Sequence, residues 1–179
     1  MTDIEVRVLD EDEWELYRNA RLAALGDAPA AFVARLEDEA SLNDDHWRER
    51  MKHATRIVAE RGSEPVGPVC LGRHDGDPQC GEVFGLWTAP SVRGQHVARD
   101  LVTAARHQAA DDDCRLLYFW VVSDNASAIG FAANVGFRPT SERRPVRVAA
   151  SAAAKDADEV AMVWPLLAGP TRTPNPYRE

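Results

Sequence analysis

The stretch that most limits what this chain can fold into is residues 81–101, GEVFGLWTAPSVRGQHVARDL. An apolar run over residues 83–87 stops at Thr88, Ala89 and Pro90, and an Arg93-Gly94 turn leads straight into a helical pattern. Val97, Leu101, Ala105 and Ala109 recur every fourth position, which is one face of a helix. A strand that turns tightly into a helix leaves the first N–H groups of that helix without partners, at the positive end of its dipole. Such an end seats an anion such as a phosphate. Gly94 lets a ligand come close with no Cβ in the way. A strand, a turn and a helix with one glycine also occur in α/β proteins that bind nothing there, so the neighbouring segments carry the decision.

Downstream, residues 115–122 are apolar without alternation, as expected of a strand covered on both faces. Strand, helix and strand in this order make a right-handed βαβ unit with parallel strands. Upstream, Ile4, Val6 and Val8 alternate, the period of a half-buried strand. Asp10 is placed to cap a helix on which Trp14, Tyr17, Arg21 and Leu25 share a face, ending near Gly26. Residues 28–32 break that helix, and a second is expected over residues 43–53, with Trp47 and Met51 one turn apart. Residues 55–61 and 66–73 read as a hairpin across a turn at 62–65, with a bulge or kink expected at Pro68. Residues 74–80 are a loop. Residues 125–135 form a shorter helix closed by Gly136, and residues 137–148 a strand with a polar middle (Ser141, Glu142, Arg143, Arg144). Residues 151–158 are an Ala-rich loop, and residues 159–166 a last strand. The organisation is a single α/β domain (α+β mixed) over residues 1–167, then a Pro-rich tail, 168–179, expected to be mobile.

The 179 residues can bury a core without staples. Cys70, Cys80 and Cys114 are odd in number and lack a C-x-x-C pair, so neither a disulfide framework nor a zinc site is indicated. His46 and His53 lie two turns apart on one helical face, too far for the i, i+4 metal pair, and no metal is expected. No apolar run is long enough to span a membrane and the acidic N-terminus has no secretory pattern, so a cytoplasmic location is expected. A net charge of -8 argues against nucleic acid or an anionic membrane as partner and suits a cationic acceptor such as an amine. Arg143, Arg144 and Arg147 read as an exposed strand face, with a grip on a phosphate or an acidic acceptor as the functional alternative.

Three segments in order resemble the GNAT family of N-acetyltransferases. Leu86-Trp87-Thr88-Ala89-Pro90-Ser91-Val92-Arg93-Gly94-Gln95-His96-Val97-Ala98 is similar to the family's V-x-P-x-x-R-G-x-G-x-G/A. Residues 117–122 followed by Ser123-Asp124-Asn125-Ala126-Ser127-Ala128 are similar to L-x-V-x-x-x-N-x-x-A, and FAANVGF, residues 131–137, to L-Y-E-K-L-G-F. The resemblance covers roughly residues 4–166. It implies a central mixed, mostly antiparallel sheet of about seven strands, with the parallel βαβ unit at its centre and helices on both faces.

The activity implied is direct transfer of acetyl from acetyl-CoA, as cosubstrate, to a primary amine on a small molecule or a peptide. By position in the motif, Arg93, Gly94, Gln95, His96, Val97, Ala98 and Arg99 form the pyrophosphate loop. Leu86, Trp87 and Thr88 run beside the pantetheine arm, with an oxyanion donor expected near Trp87. Asn125, Ala128 and Phe131 close the far side; Asn125 is also a good helix N-cap, but its position in the motif favours the functional role, while Phe131 is equally a core residue. Glu82 is the candidate base, placed by alternation on the same face as Leu86. Tyr118 and Ser123 are the candidate acids, and a water is the alternative proton source. Two positions depart from the family pattern: a phosphate-loop glycine falls on His96, and the tyrosine that often serves as acid falls on Ala132. These departures keep a second reading open, a catalytically degenerate acyl-CoA-binding regulatory or partner module. A nicotinamide-dependent oxidoreductase is disfavoured because no G-x-G-x-x-G follows an early strand. The resemblance also allows a homodimer paired through a terminal strand.

Overall fold

The alternation at Ile4, Val6 and Val8 produces strand β1 (Ile4–Val8), the first element in a computed structural model that describes residues 3–146, 157–166 and 176–177. Acidic residues then start a 3-10 turn, where the Glu13 carboxylate accepts the Asp10 N–H at 2.9 Å, and helix α1 (Trp14–Asp27) follows. A short helix that the sequence did not suggest, α2 (Leu36–Ala40), lies between α1 and α3 (Asp44–His53). The Asn43 side chain caps α3 by accepting the His46 N–H at 2.9 Å.

Strands β2 (Thr55–Arg61) and β3 (Glu64–Arg73) form the expected hairpin. The bulge expected at Pro68 lies elsewhere. Ala59 faces Gly67 while Glu60 faces Pro65, so the extra residue is Val66, and Pro68 stays in register opposite Val58. Proline is tolerated there because the side of β3 that would need its N–H faces the irregular segment 85–89, which asks only for its carbonyl. Strand β4 (Cys80–Phe84), helix α4 (Val97–Asp111) and strand β5 (Leu116–Val122) make the βαβ unit, with β4 and β5 parallel. Helix α5 (Ala126–Val135) leads to β6 (Arg138–Pro145) and β7 (Asp158–Pro165). Among the described residues the seven strands form one sheet in the order β1-β2-β3-β4-β5-β7-β6, antiparallel except at β4-β5. The Ala-rich loop and Arg147 lie outside the described residues.

One face of the sheet is covered by α4 and α5. Val97, Leu101, Val102, Ala105 and Ala109 of α4 pack there against Ile57, Val69, Leu71, Val83 and Leu117, all buried. Helices α1 and α3 cover the other face only over β2 and β3, through Trp14, Tyr17, Trp47 and Met51 against Val58 and Cys70. Of the tail, Pro176 and Tyr177 are described. The Tyr177 carbonyl accepts the Val8 N–H at 3.0 Å and its ring lies 5.9 Å from His107, so these residues lie along β1 against α4.

The three N-terminal helices meet at Glu39, which is 4% exposed. Its carboxylate takes Arg21 Nη2 of α1 at 3.0 Å and Arg50 Nη1 of α3 at 3.0 Å. Burial pushes this carboxyl up, but the two guanidiniums outweigh it and hold it below its ordinary value. A carboxylate lowered in the fold contributes stability that is present above its unfolded value, about 4.3, and lost as pH falls through the folded one. Glu39→Gln is therefore expected to cost roughly 2 kcal/mol at neutral pH. It should also flatten the fall in Tm below about pH 4.5, as read by thermal melts across pH.

Candidate functional site

The site begins where the parallel pair parts. β4 and β5 are paired from Cys80–Leu116 to Val83–Phe119, after which β5 continues along β7 alone. Gly85, at φ +67, turns the chain in a way that a side chain would resist, and the next residues rejoin β3 in a new register. Trp87 N–H donates to Pro68 O at 3.2 Å and Ala89 N–H to Val66 O at 2.8 Å. Peptide groups of an extended chain alternate in direction, so those of Leu86 and Thr88 face the gap that opens toward β5.

This geometry corrects two expectations. Alternation does not carry from Glu82 to Leu86, because Gly85 interrupts it: Val83 and Leu86, three apart, both contact the core beneath α4. The Trp87 N–H is committed to β3, and no oxyanion donor is available there. The N–H of Leu86, which has no backbone acceptor among the described residues, is the one turned to the gap. Trp87 instead sends its indole N–H to Asp27 Oδ2 at 2.8 Å, at the end of α1. Asp27 also takes Arg93 Nη2, and these donors hold its carboxyl below the usual range, the indole contributing most. Asp27 thus ties α1 to the loop before α4, and no motif in the sequence pointed to it.

That loop lines a cleft of about 420 Å³ with Thr88, Arg93, Gly94, His96, Val97, Ala98 and Arg99, facing Phe131 and Asn134 of α5. The first helical bond of α4 is Asp100 N–H to His96 O at 3.0 Å, so the N–H groups of Val97, Ala98 and Arg99 point out unpaired by the helix. A Cβ built on Gly94 would meet nothing within 4 Å, so the face above the loop is open. An anion fits this cradle. Gln95 is the exception among the expected loop residues: its N–H donates to Val92 O and its side chain to Ser91 O. His96 takes the left-handed conformation that a glycine would take without strain, at φ 66.

A cavity of about 720 Å³ between the parted strands adjoins this cleft, sharing Arg93, Gly94 and Phe131 with it. Leu86, Asn125, Ala128 and Phe131 line the cavity, and Asn125 also caps α5 by accepting the Ala128 N–H at 3.0 Å. Glu82 stands on its floor. Glu82 Oε2 lies 2.9 Å from Nδ1 of His74, a buried residue of the loop after β3. Glu82 Oε1 lies 3.5 Å from Arg144 Nη1, and Arg144 Nε reaches Glu159 Oε2 at 2.7 Å. Arg144 is therefore part of the floor and not the exposed strand face expected; its side chain is 21% exposed. The sign in the sequence was a charged run in the middle of a strand. His74 carried none, since it sits among turn residues.

The two candidate acids are not brought to this cavity. Tyr118 lies flat against His74, ring centres 3.8 Å apart. Burial first, then the Glu142 carboxylate, raises its phenol, which is turned to Glu142. Ser123 Oγ donates to Asp158 and holds the end of β5 to β7. Ala132 is fully buried. Among the described residues no cluster of three or more His, Cys, Asp or Glu side chains could hold a metal, and no helix is long and apolar enough to cross a membrane.

Residues 8–137 match the family model described as the Acetyltransferase (GNAT) family. Solved structures with the same fold include an N-acetyltransferase from Staphylococcus aureus Mu50, 16% identical over 92% of this chain and 99% of its own, TM-score 0.70. A ribosomal-protein-alanine N-acetyltransferase from Brucella melitensis is 20% identical over 90% of this chain and 99% of its own, TM-score 0.68. The yncA protein of Salmonella typhimurium, solved with its cofactor acetyl-CoA, is 18% identical over 94% of this chain and 98% of its own, TM-score 0.68. No curated protein matches the chain in sequence.

Proposed function

The chain belongs to the GNAT acetyltransferase family, with its matched domain at residues 8–137, and from that premise we propose that it acetylates a primary amine. The observation that carries the proposal is the placement of Glu82. A carboxylate stands on the floor of the gap between parted strands, and that gap adjoins a helix-end anion cradle, with which it shares Arg93, Gly94 and Phe131.

Acetyl-CoA would supply the acetyl thioester. The N–H groups of Val97, Ala98 and Arg99 would hold its diphosphate, and the peptide groups of Leu86 and Thr88 would pair with its amides. An amine arrives as an ammonium and has no lone pair to attack with until a proton leaves. Glu82, fixed by His74 and Arg144, receives that proton and passes it to water. As the N–C bond forms and the C–S bond breaks, the Leu86 N–H donates to the carbonyl oxygen. The second proton of the nitrogen ends on sulfur through water, because neither Tyr118 nor Ser123 faces the cavity. The products are the amide, a free thiol and one proton.

Thiol release on incubation with acetyl-CoA and a panel of primary amines tests this reading. Tight coenzyme A binding without release on any amine would instead favour the acyl-CoA-binding module, which the missing tyrosine at Ala132 keeps in view. The loop offers its own test. His96→Gly removes a left-handed side chain, worth about 1 kcal/mol after the added chain entropy, and clears an imidazole from the cleft. The expected result is an unchanged or slightly higher Tm and a lower Kd for coenzyme A by titration calorimetry.

A further inference from the structure

The floor of the cavity has a composition that limits what the amine can be attached to. Resting on the acetyl-transfer reading above, we propose that the acceptor is a small primary amine carried on an aromatic or similarly bulky hydrocarbon body and bearing no acidic group. Glu82, Glu159 and Arg144 face the cavity from β4, β7 and β6, and Arg93 lines it already paired with Asp27, which leaves one carboxylate in excess over the guanidiniums. An ammonium is attracted and a carboxylate repelled.

Among the described residues the cavity also has no uncommitted cation. Its basic lining residues are Arg93 and Arg144. Arg93 is held by Asp27. Arg144 is held by Glu159 at 2.7 Å and Glu82 at 3.5 Å, and its guanidinium lies 4.2 Å from the centre of the Trp120 ring. An α-amino acid would have to break one of these pairings to seat its carboxylate.

On the side of the sheet that carries Glu82, the cavity is bounded by Phe32, Phe84 and Trp120. Phe84 is 42% exposed, and the other exposed large apolar side chains among the described residues, Val33 and Leu36, follow Phe32 on the same segment. Aromatic faces beside a carboxylate suit an ammonium with an apolar body, which gains from burial there and from the ring faces as a cation.

The test uses the full chain with acetyl-CoA and four acceptors: 2-phenylethylamine, ethylamine, L-phenylalanine and a lysine-containing peptide. Ethylamine keeps the amine without the ring, and L-phenylalanine keeps the ring and adds a carboxylate. The expected kcat/KM for 2-phenylethylamine exceeds each of the others by at least about tenfold. Phe84→Ala, at an exposed position that does not threaten folding, should lower it about tenfold through KM while the Kd for coenzyme A stays put. Ethylamine, L-phenylalanine or the peptide performing as well as 2-phenylethylamine overturns the proposal and leaves acetyl transfer to amines standing. Coenzyme A binding with no thiol release from any of the four overturns acetyl transfer and this proposal together.

Discussion

Replacing Glu82 with Gln is expected to lower kcat about a thousandfold, which is about 4 kcal/mol of barrier. The amide has nearly the same shape and keeps its place between His74 and Arg144, but it cannot accept a proton from the arriving ammonium. Coenzyme A should bind nearly as before, because the N–H groups proposed to hold its diphosphate are at the start of α4, in a cleft that Glu82 does not line. The fold should survive as well, since Arg144 retains Glu159 at 2.7 Å. A kcat within about threefold of the parent would place the base elsewhere and remove Glu82 from the mechanism. His74→Gln is a useful companion: it withdraws the 2.9 Å partner that fixes the carboxylate, and misplacement alone is expected to cost about tenfold in kcat. Steady-state thiol release, with calorimetric titration of coenzyme A on the same samples, separates the outcomes.

The largest effect on stability is expected at Gly136, which ends α5. Its φ is +134, a conformation in which any side chain is strained. A Cβ there would also stand 2.7 Å from Cζ2 and 2.8 Å from Cε2 of Trp164. The ring has little room to yield, because Phe137 packs on it edge-on with ring centres 5.5 Å apart and Arg106 lies 4.8 Å over its face. Backbone strain and overpacking together make Gly136→Ala roughly 3 kcal/mol less stable. For a chain of this length that lowers Tm by about 10 °C. A melt within about 2 °C of the parent would mean that the α5–β6 corner rearranges freely.

How far the sequence could be followed depended on whether a signal was local. The order of strands and helices was legible because Ile4, Val6 and Val8 alternate and because Val97, Leu101 and Ala105 repeat on one helical face. The open helix end at Val97 to Arg99 was legible for the same reason, since the turn and the helix that follows it are contiguous. What failed needed information from across the sheet. Whether the Trp87 N–H faces the gap or β3 is set by the turn at Gly85 and by the carbonyl of Pro68, nineteen residues earlier. Tyr118 and Ser123 lie on the right strand, but their directions are fixed by Glu142, His74 and Asp158 from three other segments. The floor of Glu82, His74, Arg144 and Glu159 draws on four segments and no spacing announces it. The short helix α2 exists because Glu39 finds Arg21 and Arg50, a pairing that helix propensity does not contain.

The parted strands have a mechanical consequence. The sheet is built as two plates, β1 to β4 backed by α4 and β5-β7-β6 backed by α5, joined along a seam only four residue pairs long. A plate joint that short is where cooperative opening should begin. A thioester arm lying in the slot and bonded to Leu86 and Thr88 would act as a rivet across it, so loading the cosubstrate should stiffen the whole molecule as well as fill a site.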